Sequence, residues 1–350
     1  MLQENYRRTR YKKCVLILAA FIFTLISGYI FTTVGMKQVH IWQVFTALEK
    51  FFYGTINTGS DEAVNKIILF LRLPRILMAV LAGIGLAVAG AVMQSVTRNY
   101  LVSPFTLGLS AAAAFGASLC IVFGTGMFFQ SDFGIIFCAF ISACICGLIV
   151  YGVAQKTGLK PSSIVLVGIA LNYLFSAMTA TIEFFAKEHK LEAVVQWTFG
   201  SFNRAAWDYI LITLVIVACG MYIMMYYCLP LNAIAGNDDE MVKSLGVNPE
   251  KVRSVCGIIS VLITSVIISF TGVIGFVGLI APHMARIIIG NDHRFYILFS
   301  GIIGAMLLLV SDTIGKFILY PVNIPVGIII SFLGVPLFMH LILTKKKGLE

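Results

Sequence analysis

Of 350 residues, 59% are hydrophobic and only 12% charged, with a mean hydropathy of +0.95. That balance excludes a soluble globular domain and points to a polytopic helical membrane protein. The apolar runs are continuous rather than alternating, which excludes a transmembrane β-barrel. The net charge of +9 is not a nucleic-acid footprint, because the placement of the basic residues follows membrane orientation.

A span needs about 20 apolar residues, and about ten such segments follow in order: 14–34, 67–96, 104–124, 134–154, 163–183, 208–229, 254–273, 276–289, 295–316 and 325–343. The first is too long for a cleavable signal peptide and lacks a small-residue cleavage site, so it reads as a signal anchor. The second is over-long, and its polar first turn is expected to project outside. The eighth is short and expected to pack inside the protein, although 254–289 also reads as one bent segment.

An even number of spans puts both termini on one side. Arg7, Arg8, Arg10, Lys12 and Lys13 precede the first span, and Lys345, Lys346 and Lys347 follow the last. The positive-inside rule therefore predicts cytoplasmic termini. The whole chain reads as one transmembrane domain, 1–350, with a cytoplasmic tail 1–13, a cytoplasmic loop 230–253 and a C-tail 344–350.

Small residues mark the second span. Gly83, Ala87 and Ala91, and also Gly85 and Ala89, recur every four residues, a spacing that lets helix backbones approach closely. Blocks 67–183 and 254–343 echo each other weakly, as inverted repeats do in many transporters. Lys160-Pro161-Ser162-Ser163 is a very short turn opening the fifth span. It reads either as a constriction or as a tight turn with serine caps.

Loop 230–253 is the most distinctive segment. Asn237 is a good N-cap, and Glu240 is placed to reach back to the cap N–H. Asp238 and Asp239 add charge that favours the positive end of a helix dipole. Met241, Val242 and Leu245 share a face, Gly246 suits a left-handed C′ position, and Pro249 blocks continuation. The predicted helix has about two turns, too few to be stable alone. It rests either on its own protein or on a partner.

No catalytic set is visible. Gly315-Lys316 is followed by Phe317, so it is not a phosphate loop. His283 stands alone among apolar residues, as a packing residue does, and the eight cysteines lie in or beside apolar runs without ligand spacing. No metal site and no resident cofactor are expected. Asp312 is the only clear acid within a span, and Glu183 lies near an outer edge. That scarcity argues against an ion-coupled secondary transporter, against an intramembrane enzyme and against a channel for free metal ions. Arg72 and Arg75 at the mouth of the second span, and Lys316 at the outer end of the ninth, read either as snorkelling side chains or as a cationic rim that meets an acidic protein.

Several motifs together resemble one family. They are Arg72-Leu73-Pro74-Arg75, Gly90 to Gln94, Leu107 to Ser110, Trp197 with Gly200-Ser201, Ala235 to Gly246, Gly275 to His283, Asp292-His293-Arg294 and Ile324 to Gly327. The chain resembles the membrane permeases of type II ABC importers, which take up iron–siderophores, haem and vitamin B12. The resemblance covers almost the whole chain. It implies ten spans per subunit in a bacterial cell membrane and a second permease, identical or homologous, around a central channel. It also implies two cytoplasmic ATPase subunits that carry ATP and Mg, and an extracytoplasmic substrate-binding protein. Asn237 to Gly246 would be the coupling helix seated on the ATPase. Arg72 and Arg75 would meet acidic residues of the binding protein, with Lys316 where relatives can carry Arg. Lys160 to Ser163 would be a cytoplasmic gate, although Pro161 replaces one hydroxyl of the gate pattern. The expected cargo is an iron chelate, siderophore or haem, with cobalamin as the alternative.

Overall fold

The computed structural model describes residues 2–34, 39–53, 62–129, 131–319 and 322–345; residues 346–350 of the expected C-tail lie outside them. Among the described residues the regular structure is helical, with one isolated bridge between Leu319 and Val322.

The helices are α1 (Leu2–Thr33), α2 (Ile41–Phe52), α3 (Glu62–Lys66), α4 (Leu73–Val96), α5 (Leu109–Phe123), α6 (Gly126–Phe129), α7 (Asp132–Gln155), α8 (Pro161–Phe185), α9 (Glu188–Thr198), α10 (Trp207–Tyr226), α11 (Cys228–Gly236), α12 (Asp239–Ser244), α13 (Pro249–Thr271), α14 (Val277–Ile289), α15 (His293–Phe317) and α16 (Val326–Lys345). A π-helical stretch, Ile67–Arg72, joins α3 to α4. Among the described residues seven helices are long and apolar enough to cross a membrane, and there are three shorter apolar ones, in α5, α14 and α16. Each of the ten expected segments therefore has a helix.

The boundaries moved where local chemistry overrides hydropathy. The segment expected as a tail is helical from Leu2. The run 208–229 breaks at Tyr227, because Pro230 supplies no N–H to continue the ladder and instead sits in the first turn of α11. The run 104–124 becomes helical only at Leu109. Residues 103–108 form turns that end at Gly108, whose φ of 81° and close approach to the Asn172 backbone leave no room for a side chain.

The core is built around α4, which packs against α15, α13, α14 and α10. Its small residues make the close contacts. A Cβ on Gly83 would overlap the Gly304 carbonyl of α15, and one on Gly90 would overlap Gly278 of α14. Gly85 receives Ile263 and Ile267 of α13. In lipid, where apolar burial drives little association, such backbone proximity is a main source of helix adhesion.

Candidate functional site

The loop between α10 and α13 folds into two helices, α11 and α12, and the expected cap is displaced. Asn237 does not begin α12. Its backbone is extended and its side-chain Nδ2 donates to the Ala233 carbonyl at 3.0 Å, closing α11 instead. Asp238 is the N-cap residue without a side-chain cap bond, and the exposed Glu240 forms no capping box. The far end matches expectation. Gly246 has φ of 78°, its N–H donates to Lys243, and the Val247 N–H donates to Val242 at 3.2 Å. This is the doubly bonded left-handed stop of a helix. Pro249 then opens α13 as its first residue, and Asn248 Oδ1 caps that helix by accepting from the Lys251 N–H.

Asp239, expected to serve the helix dipole, holds α12 to the bundle. Its carboxylate accepts from both terminal nitrogens of Arg253, each at 2.7 Å, and from Nη2 of Arg98 at 2.7 Å. Arg253 is fully buried and its Nε donates to the Val96 carbonyl at the end of α4. Arg98 Nε donates to the Ile234 carbonyl of α11 at 2.8 Å. One carboxylate thus ties α12 to α4, α11 and α13. The hydrogen bond from Arg253 holds its pKa down at about 2, against the opposing effect of burial and with the charge of Arg253 and then Arg98 adding to it.

The apolar face of α12 is divided. Val242 is buried, while Met241 is 57% and Leu245 59% exposed. The short helix is therefore fastened to its own protein by Asp239 and Val242 and keeps two large apolar side chains, one turn apart, directed away from it.

Beside this joint lies a second polar junction. His293 contacts Ser95 of α4 through Nε2 at 2.6 Å and Asn232 of α11 through Nδ1 at 2.6 Å. Asn232 Nδ2 donates to Asp292, which also accepts from Arg294. Burial works to raise the Asp292 pKa, but the bonds from Arg294 and Asn232 outweigh it and hold the group at about 2. A cavity of about 330 Å³ is lined by residues of both junctions, Arg98 of the first and Ser95, Asn232, Asp292 and His293 of the second.

At the opposite end of the bundle the expected cationic rim is turned inward. Arg72 is buried, and its Nη1 donates to the Thr32 and Thr33 carbonyls at 2.9 and 2.8 Å, satisfying the end of α1. Arg75 Nη2 and Lys316 Nζ both pair with the buried Asp312, at 2.8 and 2.7 Å. Arg75 also bonds Asn203. Asp312 is thus the internal partner of two of the three expected rim cations. The reason is desolvation: three cations at a helix mouth find acceptors inside the chain rather than stand free in apolar surroundings.

The 159–163 turn opens α8 with Lys160 as N-cap residue and Pro161 at the first position. Neither Ser162 nor Ser163 caps the helix, so the serine-cap reading does not hold. Leu159 sits at φ 52°, which tightens the turn.

The larger cavity, about 750 Å³, lies between the 103–106 turn, residues 198–199, residues 273–279 and α16. Its walls are mostly aromatic and aliphatic, including Phe105, Phe199, Phe276 and Phe332, with hydroxyls from Ser103, Thr106, Thr198 and Ser331. Among the described residues no three His, Cys, Asp or Glu side chains gather as a metal site. His283 is buried with its ring edge-to-face on Phe338, as a packing residue.

Sequence reasoning missed Arg98 and Arg253. Each lies within about two turns of a break in an apolar run, and Arg253 follows a loop rich in acids, whereas no acid lies within thirty residues of Arg98 along the chain. What no pattern supplied was that one carboxylate takes both.

A bundle of long apolar helices, an apolar cavity and a small helix bolted to the central span define a multi-pass membrane transport protein. The FecCD transport family model matches residues 16–344, and the chain belongs to that family. It is 40% identical over 98% of both chains to a provisionally named ABC transporter permease protein of Methanocaldococcus jannaschii. It is 33% identical to the iron(3+)-hydroxamate import system permease protein FhuG of Bacillus subtilis, over 94% of this chain and 97% of that one. A solved inward-facing structure, assigned provisionally to the metal-chelate type of ABC transporter, superposes with a TM-score of 0.82 at 27% identity, covering 94% of this chain and 99% of that one.

Proposed function

We propose that this chain is the channel-forming permease subunit of an ATP-driven importer of an iron chelate. The observation that carries the reading is the divided face of α12: Val242 and Asp239 fix it to the bundle while Met241 and Leu245 remain exposed. A helix of six residues does not hold itself together, and two exposed apolar residues on it fit a groove on a partner. Through Asp239 to Arg253 and Val96, a displacement of α12 reaches α4, around which the spans pack.

In this reading two cytoplasmic ATPase subunits, carrying ATP and Mg, grip α12 of each of two permeases. α12, the termini and the Lys160–Ser163 turn face the cytoplasm, with that turn narrowing the inner exit. The permease performs no covalent chemistry. The large cavity offers apolar walls with scattered hydroxyls, weak contacts that let a bulky chelate pass. A binding protein delivers the chelate at the opposite end, where Arg75 and Lys316 together carry one more charge than Asp312 offsets. Acidic groups on that protein would draw on the excess. The relatives' names span hydroxamate iron, iron citrate and haem, so siderophore or haem iron is the expected cargo, with cobalamin as the alternative outcome of a cargo assay.

The test replaces Met241 and Leu245 together with Asp. The expected result is unchanged folding, loss of ATPase co-purification and uptake reduced at least tenfold. Intact assembly and uptake would overturn the coupling role.

A further inference from the structure

A third cavity, apart from both sites above, lies on the flank of the bundle between α1, α10 and α15. It has a volume of about 440 Å³ and is lined chiefly by Ile17, Leu18 and Phe21 of α1, Met221 of α10, and Leu298 and Ile302 of α15. α1 packs along α15, whereas α10 packs on α4 and α13, so α1 and α10 flank a gap. From Cys14 to Phe21 the groove follows α1 for roughly 10 Å of helix rise.

The ends of this groove differ. Its inner reach is wholly apolar. Next to its mouth stands Lys13, whose ammonium lies over the ring of the lining residue Phe295, 5.5 Å from the centroid, and beside Gly290. Lys13 has no acidic partner among the described residues, whereas Arg294, also at the mouth, is offset by Asp292. Both lie where the apolar runs of α1 and α15 begin, the part of a span that meets the headgroup layer.

An apolar gap at bilayer depth excludes water, since it offers no hydrogen bonds. Left void, it would forfeit dispersion contacts along both walls. A hydrocarbon chain satisfies the walls, and a negative charge at the mouth satisfies Lys13. From this we infer that the groove is a binding site for one anionic phospholipid, its acyl chain wedged between α1 and α10 and its phosphate on Lys13. The inference does not depend on what the transporter carries.

The test uses the full chain in nanodiscs holding equal amounts of phosphatidylglycerol and phosphatidylcholine with matched chains. Native mass spectrometry, after transfer to detergent, counts the lipid retained. The wild type is expected to keep one phosphatidylglycerol with about fivefold preference, the ratio that one basic contact of about 1 kcal/mol supplies. Lys13→Gln should retain a lipid without preference. Leu18→Trp, at a residue already 58% exposed, should fill the groove and retain none. Circular dichroism and elution volume establish that both variants are folded. Equal retention of the two lipids by wild type, unchanged preference in Lys13→Gln, or retention by Leu18→Trp would each overturn the site, as would detergent alone in the groove.

Discussion

At the scale of single residues, two charged groups do work that their exposure alone would not reveal. Asp239 bridges two arginines, one of them fully buried. Asp239→Asn leaves Arg253 buried without a counter-charge. It is expected to cost about 3 kcal/mol, the lower end for breaking a buried pair because the carboxylate is partly solvated; thermal unfolding in detergent measures this. The pH dependence has a definite sign. The folded pKa, about 2, lies below the ordinary 3.8, so the stabilisation is present above about pH 4 and fades as pH falls towards 2. The variant should lose that part of the acid dependence. Arg72 makes the opposite point. Because it closes α1 by bonding Thr32 and Thr33, Arg72→Glu should lower folded yield and melting temperature with no binding protein present. A docking role for Arg72 is therefore read from binding-protein affinity only in variants that fold.

At the scale of elements, glycine placement decides which helices touch. Gly83 and Gly304 bring the backbones of α4 and α15 together, leaving no space for Cβ atoms. Gly83→Val should separate the two helices and abolish recovery of folded protein in size-exclusion chromatography. Gly152 in α7 has nothing within 4 Å of a Cβ position, so Gly152→Ala should be neutral or stabilising by up to about 1 kcal/mol through helix propensity. The same contrast explains why α12 persists: six residues have too little helical hydrogen bonding to stand alone, and Asp239 and Val242 replace it with tertiary anchorage.

At the scale of the whole molecule, the large cavity and α12 sit on different helices and should be separable. Val335 lines the cavity and is 40% exposed. Val335→Trp should obstruct passage and cut chelate uptake at least tenfold while ATPase association and α12 anchorage stay intact. Joint loss of uptake and assembly would mean that the variant had misfolded, and circular dichroism would detect it. The two polar junctions, Asp239 with Arg98 and Arg253, and His293 with Ser95 and Asn232, make α4, α11, α13 and α15 one rigid end. On the proposed coupling role, a displacement of α12 would reach the spans through these bonds.

Hydropathy by itself determined the helical membrane class, and each apolar segment from 14–34 to 325–343 has a helix, because the length and continuity of apolar runs are local properties that lipid reads directly. Gly246 as a helix stop was equally legible, since a positive φ is a property of one residue. The small residues of the second span announced close packing but not its partners. Only the tertiary structure decided that Gly83 faces Gly304 and Gly90 faces Gly278. It also decided the fate of the charges. Asn237 closes α11 instead of opening α12, Arg72 and Arg75 turn inward, and Asp312 pairs across the bundle with a residue 237 positions away. The physical reason is that a charge leaving water seeks whatever partner the fold brings within reach. That partner is set by which helices are neighbours, a relation that no local pattern of residues encodes.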